Sequence, residues 1–338
     1  MRPSTARLMN SPILLAELVF PQVSRLVHRT RLAFIHLDNV LAFGKRDRDG
    51  RIDGYLTAYL PDECLLLFLR KGEAVNAATI SPTGRQVVTI GEAIRRMRAE
   101  VERGELTYCT APLEQLAWMY RSCAGEIEPL FIDAAQPEAL FPSLQQDRVT
   151  GVLELITDGH VSYLRIDEGR FVRGYFCDKP DDQPVPRYVE GLFRRKSDGS
   201  SPVMTASVFP AIDELPAQAS AALVNTYREL FWRIVDGVER EFPGDGRRRA
   251  DAARAALEPS HPALTLLAVP RHSDIPDAVV PPDDLVAALS DWVRLYLEPV
   301  EVMMPGTAPK VLQVATWEHR YVLQAAGFYR GMPWPVTW

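Results

Sequence analysis

The chain has few cysteines and histidines, and none of the spacings that mark a metal or redox site. Its four cysteines form no CxxC pair, and its six histidines show no HxH or HExxH spacing. The loop between Lys45 and Leu56 carries the aspartates of a calcium-binding loop, but a lysine and a leucine stand at its first and last ligand positions. The sequence therefore predicts no metal, no cofactor and four reduced, mostly buried thiols.

Long apolar runs and an excess of positive charge are also missing. No stretch approaches the ~18 uninterrupted apolar residues of a membrane-spanning helix, and the N-terminal run from Ile13 to Phe20 is interrupted by Glu17. The formal net charge of −6 argues against nucleic acid, because such binding depends on a basic surface that neutralises phosphates. We therefore expect a cytoplasmic protein that neither inserts into membranes nor binds nucleic acid.

Motifs of the common catalytic and phosphate-binding sites are absent as well. No Gly-x-Ser-x-Gly sequence occurs, and the glycine-rich turn at 243–249 lacks the Lys-Ser/Thr pair of a phosphate-binding loop. The sequence predicts a protein that is not an enzyme and has no catalytic residues. An enzyme whose site is assembled from distant residues stays open, and a deep pocket ringed by charged groups with shifted pKa values would favour it.

What the chain does contain is a segment that occurs twice. Residues 51–80 and 148–177 align without a gap, and each residue of the second copy lies 97 positions after its counterpart. Four structural turn glycines match in pairs: Gly54 with Gly151, and Gly72 with Gly169. The second pair lies between apolar runs, where a tight hairpin commonly needs a residue with positive φ. Two copies of one small module therefore make up most of the first two thirds of the chain.

Local patterns predict the elements of each module. In the second copy, three short runs rich in β-branched and aromatic residues predict an antiparallel meander over 152–157, 161–166 and 171–176. Leucine-bearing segments at 37–43 and 140–144 predict a helix that covers each sheet. The modules are therefore predicted to be of α+β type.

The last third of the chain has a different pattern. Apolar residues at helical spacing predict long helices over 219–240, 283–298 and 308–326, and the last of these is predicted to end at Gly327. A short apolar run at 264–269 predicts one strand.

The predicted fold class is α+β, with two tandem antiparallel meander modules, their covering helices and a mainly helical C-terminal domain. The predicted domains are 1–127 for an N-terminal helix with the first module, 128–210 for the second module and 211–338 for the helical domain.

The order of parts in each copy resembles the PATAN-type domain, found at the N-terminus of PatA-like bacterial signalling proteins. The matching segments are Thr150–Leu153 and Leu164–Gly174 in the second copy, and Gly54–Leu56 and Phe68–Ala77 in the first. The resemblance covers roughly 35–110 and 132–210. It implies a non-enzymatic module of signal transduction or motility control that works through protein contacts, and it implies no catalytic residues.

The C-terminal segment concentrates tryptophan, tyrosine and arginine, which is the usual composition of a protein-interaction hot spot. From this composition we predict a protein partner and five partner-binding residues: Arg320, Tyr329, Arg330, Trp334 and Trp338. The alternative interpretation is that Trp317, Tyr321 and Phe328 pack inward and the tail folds over the helical domain.

The function expected from the sequence is a protein-interaction or scaffold element in bacterial signal transduction or motility control. A small-molecule sensor is the other open class. An apolar cavity between the two modules would favour the sensor, whereas an exposed apolar patch without a pocket would favour the scaffold.

Overall fold

The computed structural model describes residues 5–46, 52–133, 136–180, 182–194, 199–274 and 278–337. The chain divides into two compact units, Met1–Pro216 and Ala217–Trp338. The fold is α+β, as the sequence predicts: the first unit contains two antiparallel sheets, and the second is mainly helical. None of the helices in the described ranges is both long and apolar enough to cross a bilayer.

The first sheet consists of β1 (Ser24–Arg31), β2 (Gly54–Tyr59), β3 (Cys64–Arg70), β4 (Glu73–Ser81), β5 (Gly84–Val88) and β6 (Glu105–Thr110). In space the strands follow the order β1-β6-β2-β3-β4-β5, and all neighbours are antiparallel. Helices α1 (Leu37–Arg46) and α2 (Ile90–Ala99) cover one face, and α3 (Leu113–Arg121) packs on the other. Thr89 begins α2 by accepting a hydrogen bond from the Glu92 amide at 3.0 Å.

The second sheet consists of β7 (Glu128–Leu130), β8 (Gly151–Thr157), β9 (His160–Asp167), β10 (Arg170–Phe176) and β11 (Met204–Phe209). Its order is β10-β9-β8-β11-β7. Helices α4 (Leu140–Gln146) and α5 (Val185–Leu192) lie on its outer face. The strands β6-β2-β3-β4 of the first sheet thus have the same order as β11-β8-β9-β10 of the second, so the sequence repeat is also a repeat of topology.

The hairpin turns of the two copies have the same geometry. Gly72 and Gly169 have φ of 75° and 76°. Each glycine amide donates a hydrogen bond of 2.7 Å, from Gly72 to the carbonyl of Ile52 and from Gly169 to the carbonyl of Val149. The other pair, Gly54 and Gly151, allows neighbouring strands to approach closely. A Cβ atom on Gly151 would lie 2.7 Å from the carbonyl oxygen of Phe209, and a Cβ atom on Gly54 would overlap the carbonyl oxygen of Cys109.

The two sheets face each other across one shared hydrophobic core. The first sheet contributes Leu66 and Phe68, and the second contributes Val152 and Ile156. Helix α3 and an N-terminal arm fill the space between them, with apolar arm residues Leu8, Ile13, Leu15, Leu18 and Phe20. Strands β2 and β8 are consequently buried along their whole length, because one face meets the shared core and the other meets the covering helices.

The second unit is built from α6 (Ala221–Glu241), α7 (Gly246–Leu257), α8 (Leu264–Leu267), α9 (Pro282–Met303), α10 (Thr307–Thr316) and α11 (Arg320–Ala325). These helices surround a core whose largest side chains are Tyr227, Phe231, Trp292, Tyr296 and Phe328.

Two details of this unit differ from the sequence prediction. The predicted strand at 264–269 is wrong, because Leu264 and Leu267 lie one helical turn apart in α8 and both are buried in the helical core. The predicted helix 308–326 is divided into α10 and α11 by a 3₁₀ turn at Trp317–His319. It is followed by Gly327 with φ of 81°, the left-handed conformation typical of a glycine after a helix.

Candidate functional site

A cleft of about 530 Å³ lies between the two modules of the first unit. Its walls come from β5 of the first module and from β7, β8 and β11 of the second. The lining mixes apolar and polar groups and includes Arg85, Ser122, Phe131, Glu154, Met204 and Thr205. No feature of the sequence predicted this cleft, because its walls meet only when the two sheets pack.

A buried ion pair joins the modules at the base of this cleft. The Arg85 guanidinium donates two hydrogen bonds to Glu154, from Nη1 to Oε2 at 2.9 Å and from Nη2 to Oε1 at 2.6 Å. The Arg85 side chain is 12% exposed and that of Glu154 is 3% exposed. Nη1 also donates to the carbonyl oxygen of Ser122 at 3.3 Å. This bidentate hydrogen bonding fixes β5 of the first sheet against β8 of the second.

The electrostatics of the pair keep Arg85 charged. Burial alone would lower the pKa of Arg85, but the adjacent carboxylate of Glu154 more than offsets this effect, and the pKa lies above its ordinary value. Burial, and next the charge of Glu154, raise the pKa of nearby Tyr163 well above its usual range. Glu154 therefore has a permanent cationic partner, which disfavours a role as a general base.

The cysteines are in environments that suppress thiolate chemistry. Burial raises the pKa of Cys123 to about 11 and raises those of Cys64, Cys109 and Cys177 as well. The thiolate is the reactive form of cysteine, so these groups are poor nucleophiles at neutral pH.

We expect stability to fall in alkaline solution, partly through Cys123. The folded state favours the neutral thiol of Cys123. Its contribution to the free energy of unfolding is therefore fully present below the ordinary thiol pKa of about 8.5 and is lost as the pH rises through about 11. Between pH 8 and pH 10 we expect the free energy of unfolding to fall by about 1–2 kcal/mol through this group. Urea unfolding at both pH values measures it, and Cys123→Ala is the control. An equal loss in that variant would show that other groups cause the dependence.

Three residues with metal-ligand atoms come together in the second unit: Glu229, Glu318 and His319, whose ligand atoms lie within 4.8 Å of one another. The Nη2 atom of Arg233 donates to Oε1 of Glu229 at 2.6 Å and also to Glu318. His319 Nε2 lies 3.1 Å from the other carboxylate oxygen of Glu229. Because Arg233 already supplies a positive charge to both carboxylates, we interpret the cluster as an ion-pair network.

The predicted partner-binding residues occupy different environments. Arg320 lies with its guanidinium 4.5 Å from the ring centroids of both Trp317 and Tyr321. Tyr329 and Trp334 are half-buried and pack against the helical core, whereas Arg330 is exposed. Trp338 lies outside the described residues. The four described residues of this set therefore differ in exposure, with Arg330 exposed and the other three half-buried.

Further exposed side chains lie on α10, on the 3₁₀ turn that follows it and on α11. Trp317 and Tyr321 are 50% and 70% exposed. Val314 and Val322 are also exposed, and the four positions follow a helical spacing. We call these residues, together with Arg320, the aromatic–arginine surface. The interpretation that Trp317 and Tyr321 pack inward is wrong, although Phe328 is fully buried as that interpretation expects.

Comparison of the chain with protein-family models, curated proteins and solved structures gave no match. The resemblance to PATAN-type domains therefore rests on the repeated segments of the sequence itself.

Proposed function

We propose that this protein is a non-enzymatic protein-interaction element of bacterial signal transduction or motility control. The observation that carries the proposal is the aromatic–arginine surface of the helical unit. Large exposed aromatic side chains are unfavourable in water, and arginine, tryptophan and tyrosine dominate the energetics of protein interfaces. The resemblance of both modules to the PATAN type supports the assignment to signalling.

The geometry of this surface indicates the kind of partner. The two rings hold Arg320 by cation–π contact, and its Nη1 also donates to the Trp317 carbonyl at 2.8 Å. The side chains are therefore ordered before binding, which lowers the entropic cost of association. The partner that this surface fits best is a folded protein that presents apolar side chains to the two rings and a carboxylate to Arg320.

We expect the double variant Trp317→Ala, Tyr321→Ala to weaken capture of the partner at least about tenfold, because each ring is an exposed anchor. Tagged full-length protein is used to isolate the partner from the native host, and binding of that purified partner is then titrated. Phe34→Ala is the control, since Phe34 is also highly exposed but lies in the first unit. Equal affinity of the double variant and the control would contradict the proposal.

A small-molecule sensor is the second candidate, and the cleft between the modules favours it. Its volume of about 530 Å³ falls within the range of ligand-binding pockets, and the buried Arg85–Glu154 pair at its base offers polar atoms beside apolar walls. A metabolite that raises the melting temperature of the full chain would favour this function.

A further inference from the structure

The two modules differ at one edge of their sheets. In the first module the outer edge of β4 is paired with β5, from Gly84 opposite Ser81 to Val88 opposite Ala77. In the second module β10 is the last strand of its sheet, and within the described ranges its backbone pairs only with β9. In the described part of the chain, the second module therefore has no counterpart of β5.

The sequence explains why the chain does not supply this strand itself. The segment after β10 contains Pro180, Pro184 and Pro186, where the first module has the turn and strand that end at Val88. Proline has no amide hydrogen to donate and is disfavoured inside a sheet. The outer edge of β10 consequently keeps backbone donors and acceptors that another strand can use.

Side chains at this edge are apolar and accessible. Val172 is 56% exposed, and Phe171 is also exposed. The register of β10 shifts between Phe171 and Arg173, so Val172 is an additional residue opposite the regular run of β9.

An apolar groove adjoins the same edge. Helix α2 buries Ala93 and Met97 in the first module, whereas α5 buries no residue completely. The groove has a volume of about 560 Å³ and is lined mainly by Phe141, Leu164, Phe171, Val185, Val189 and Phe193. Because Phe171 belongs to both the strand edge and the groove, one ligand can contact both.

Charged groups at the edge and at the groove narrow the choice of ligand. Arg170 begins β10 and is exposed, and exposed Arg194 lines the groove. Glu138 and Glu190 also line the groove. Arg170 places a positive charge at the start of the strand edge, with Asp167 opposite it on β9, and an acidic side chain on an added strand can pair with Arg170 from the other side.

We infer that the second module binds an extended segment of a partner protein by strand addition to β10, with alternate apolar side chains in the groove and an acidic residue near Arg170. The added segment pairs with the outer edge of β10 as β5 pairs with the outer edge of β4. Main-chain hydrogen bonds supply affinity and the groove supplies specificity, as in other cases of β-augmentation. This site is separate from the aromatic–arginine surface and goes beyond the proposed function.

A phage-displayed library of random octapeptides, selected on the full chain, tests the inference. We expect enrichment of sequences with β-branched or aromatic residues at alternate positions and Asp or Glu between them. Val172→Lys should weaken binding of the selected peptides at least about tenfold, because a lysine on a strand edge opposes pairing. Phe171→Asp should have a similar effect through the groove.

The controls distinguish peptide binding at this site from binding elsewhere on the chain and from loss of folding. Val23→Lys adds the same charge at another exposed valine of the first unit, and it should leave peptide binding unchanged. The Trp317→Ala, Tyr321→Ala variant should also bind the peptides normally, so failure of one proposal does not decide the other. Circular dichroism checks that each variant is folded. The inference is overturned if no peptide is enriched, or if a folded Val172→Lys variant binds the selected peptides as the unmodified chain does.

Discussion

We expect Arg85→Ala to lower the free energy of unfolding of the first unit by about 3–5 kcal/mol, because it leaves the buried carboxylate of Glu154 without its cation. The loss should appear as a lower midpoint in guanidinium titrations of the full chain followed by circular dichroism. The same change should loosen the contact between β5 and β8, since the pair joins the two sheets directly. Faster hydrogen exchange in both strands would report this loosening.

A matched control is the exposed ion pair between Arg148 and Glu168, whose side chains are mostly in solvent. Arg148→Ala should change the free energy of unfolding by no more than about 1 kcal/mol. A double variant that replaces Arg85 with Met and Glu154 with Leu should recover much of the lost stability, because no unpaired charge then remains buried. Equal effects of Arg85→Ala and Arg148→Ala would contradict the assignment of a buried cross-module pair.

The second large effect is expected for Gly169→Ala. A left-handed φ alone costs a residue with a side chain roughly 1–2 kcal/mol. At this position a Cβ would also overlap the Cα atom of Gln145 and lie 2.5 Å from the carbonyl oxygen of Leu144. Since helix α4 must move to make room, we expect a total loss of about 2–5 kcal/mol in the free energy of unfolding, measured by denaturant titration.

Gly199→Ala separates the two contributions. Gly199 has φ of 83°, and no described atom lies within 4 Å of the position that a Cβ would occupy. Its substitution should therefore cost only the conformational term of roughly 1–2 kcal/mol. If the two alanine variants lose the same stability, α4 does not pack against the turn as the structure has it.

The repeated module and most of its local structure follow from the amino-acid sequence alone. Gly72 and Gly169 identified the hairpin turns, because a tight turn imposes positive φ through backbone geometry alone. Thr89 identified the start of α2, since its side chain satisfies an amide three residues away. These signals depend on neighbours in the chain, so they are visible without the fold.

The errors arose where a pattern had no unique local meaning. The run at 264–269 is wrongly predicted as a strand, because a short apolar segment suits a buried helix as well as a strand. Leu264 and Leu267 lie in the helical core. Trp317 and Tyr321 carry a helical spacing that does not specify which side of the helix faces the core. Their exposure depends on which side of the 3₁₀ turn and of α11 the other helices of the unit cover.

The positions of the candidate sites, by contrast, follow from the tertiary structure. Arg85 and Glu154 are 69 residues apart in the sequence, and they meet because the two sheets share one core with α3 and the N-terminal arm between them. The free edge of β10 likewise becomes evident only when its strand order is compared with that of the first module. Contacts between distant segments depend on how whole elements pack, and no residue pattern within one segment encodes that arrangement on its own.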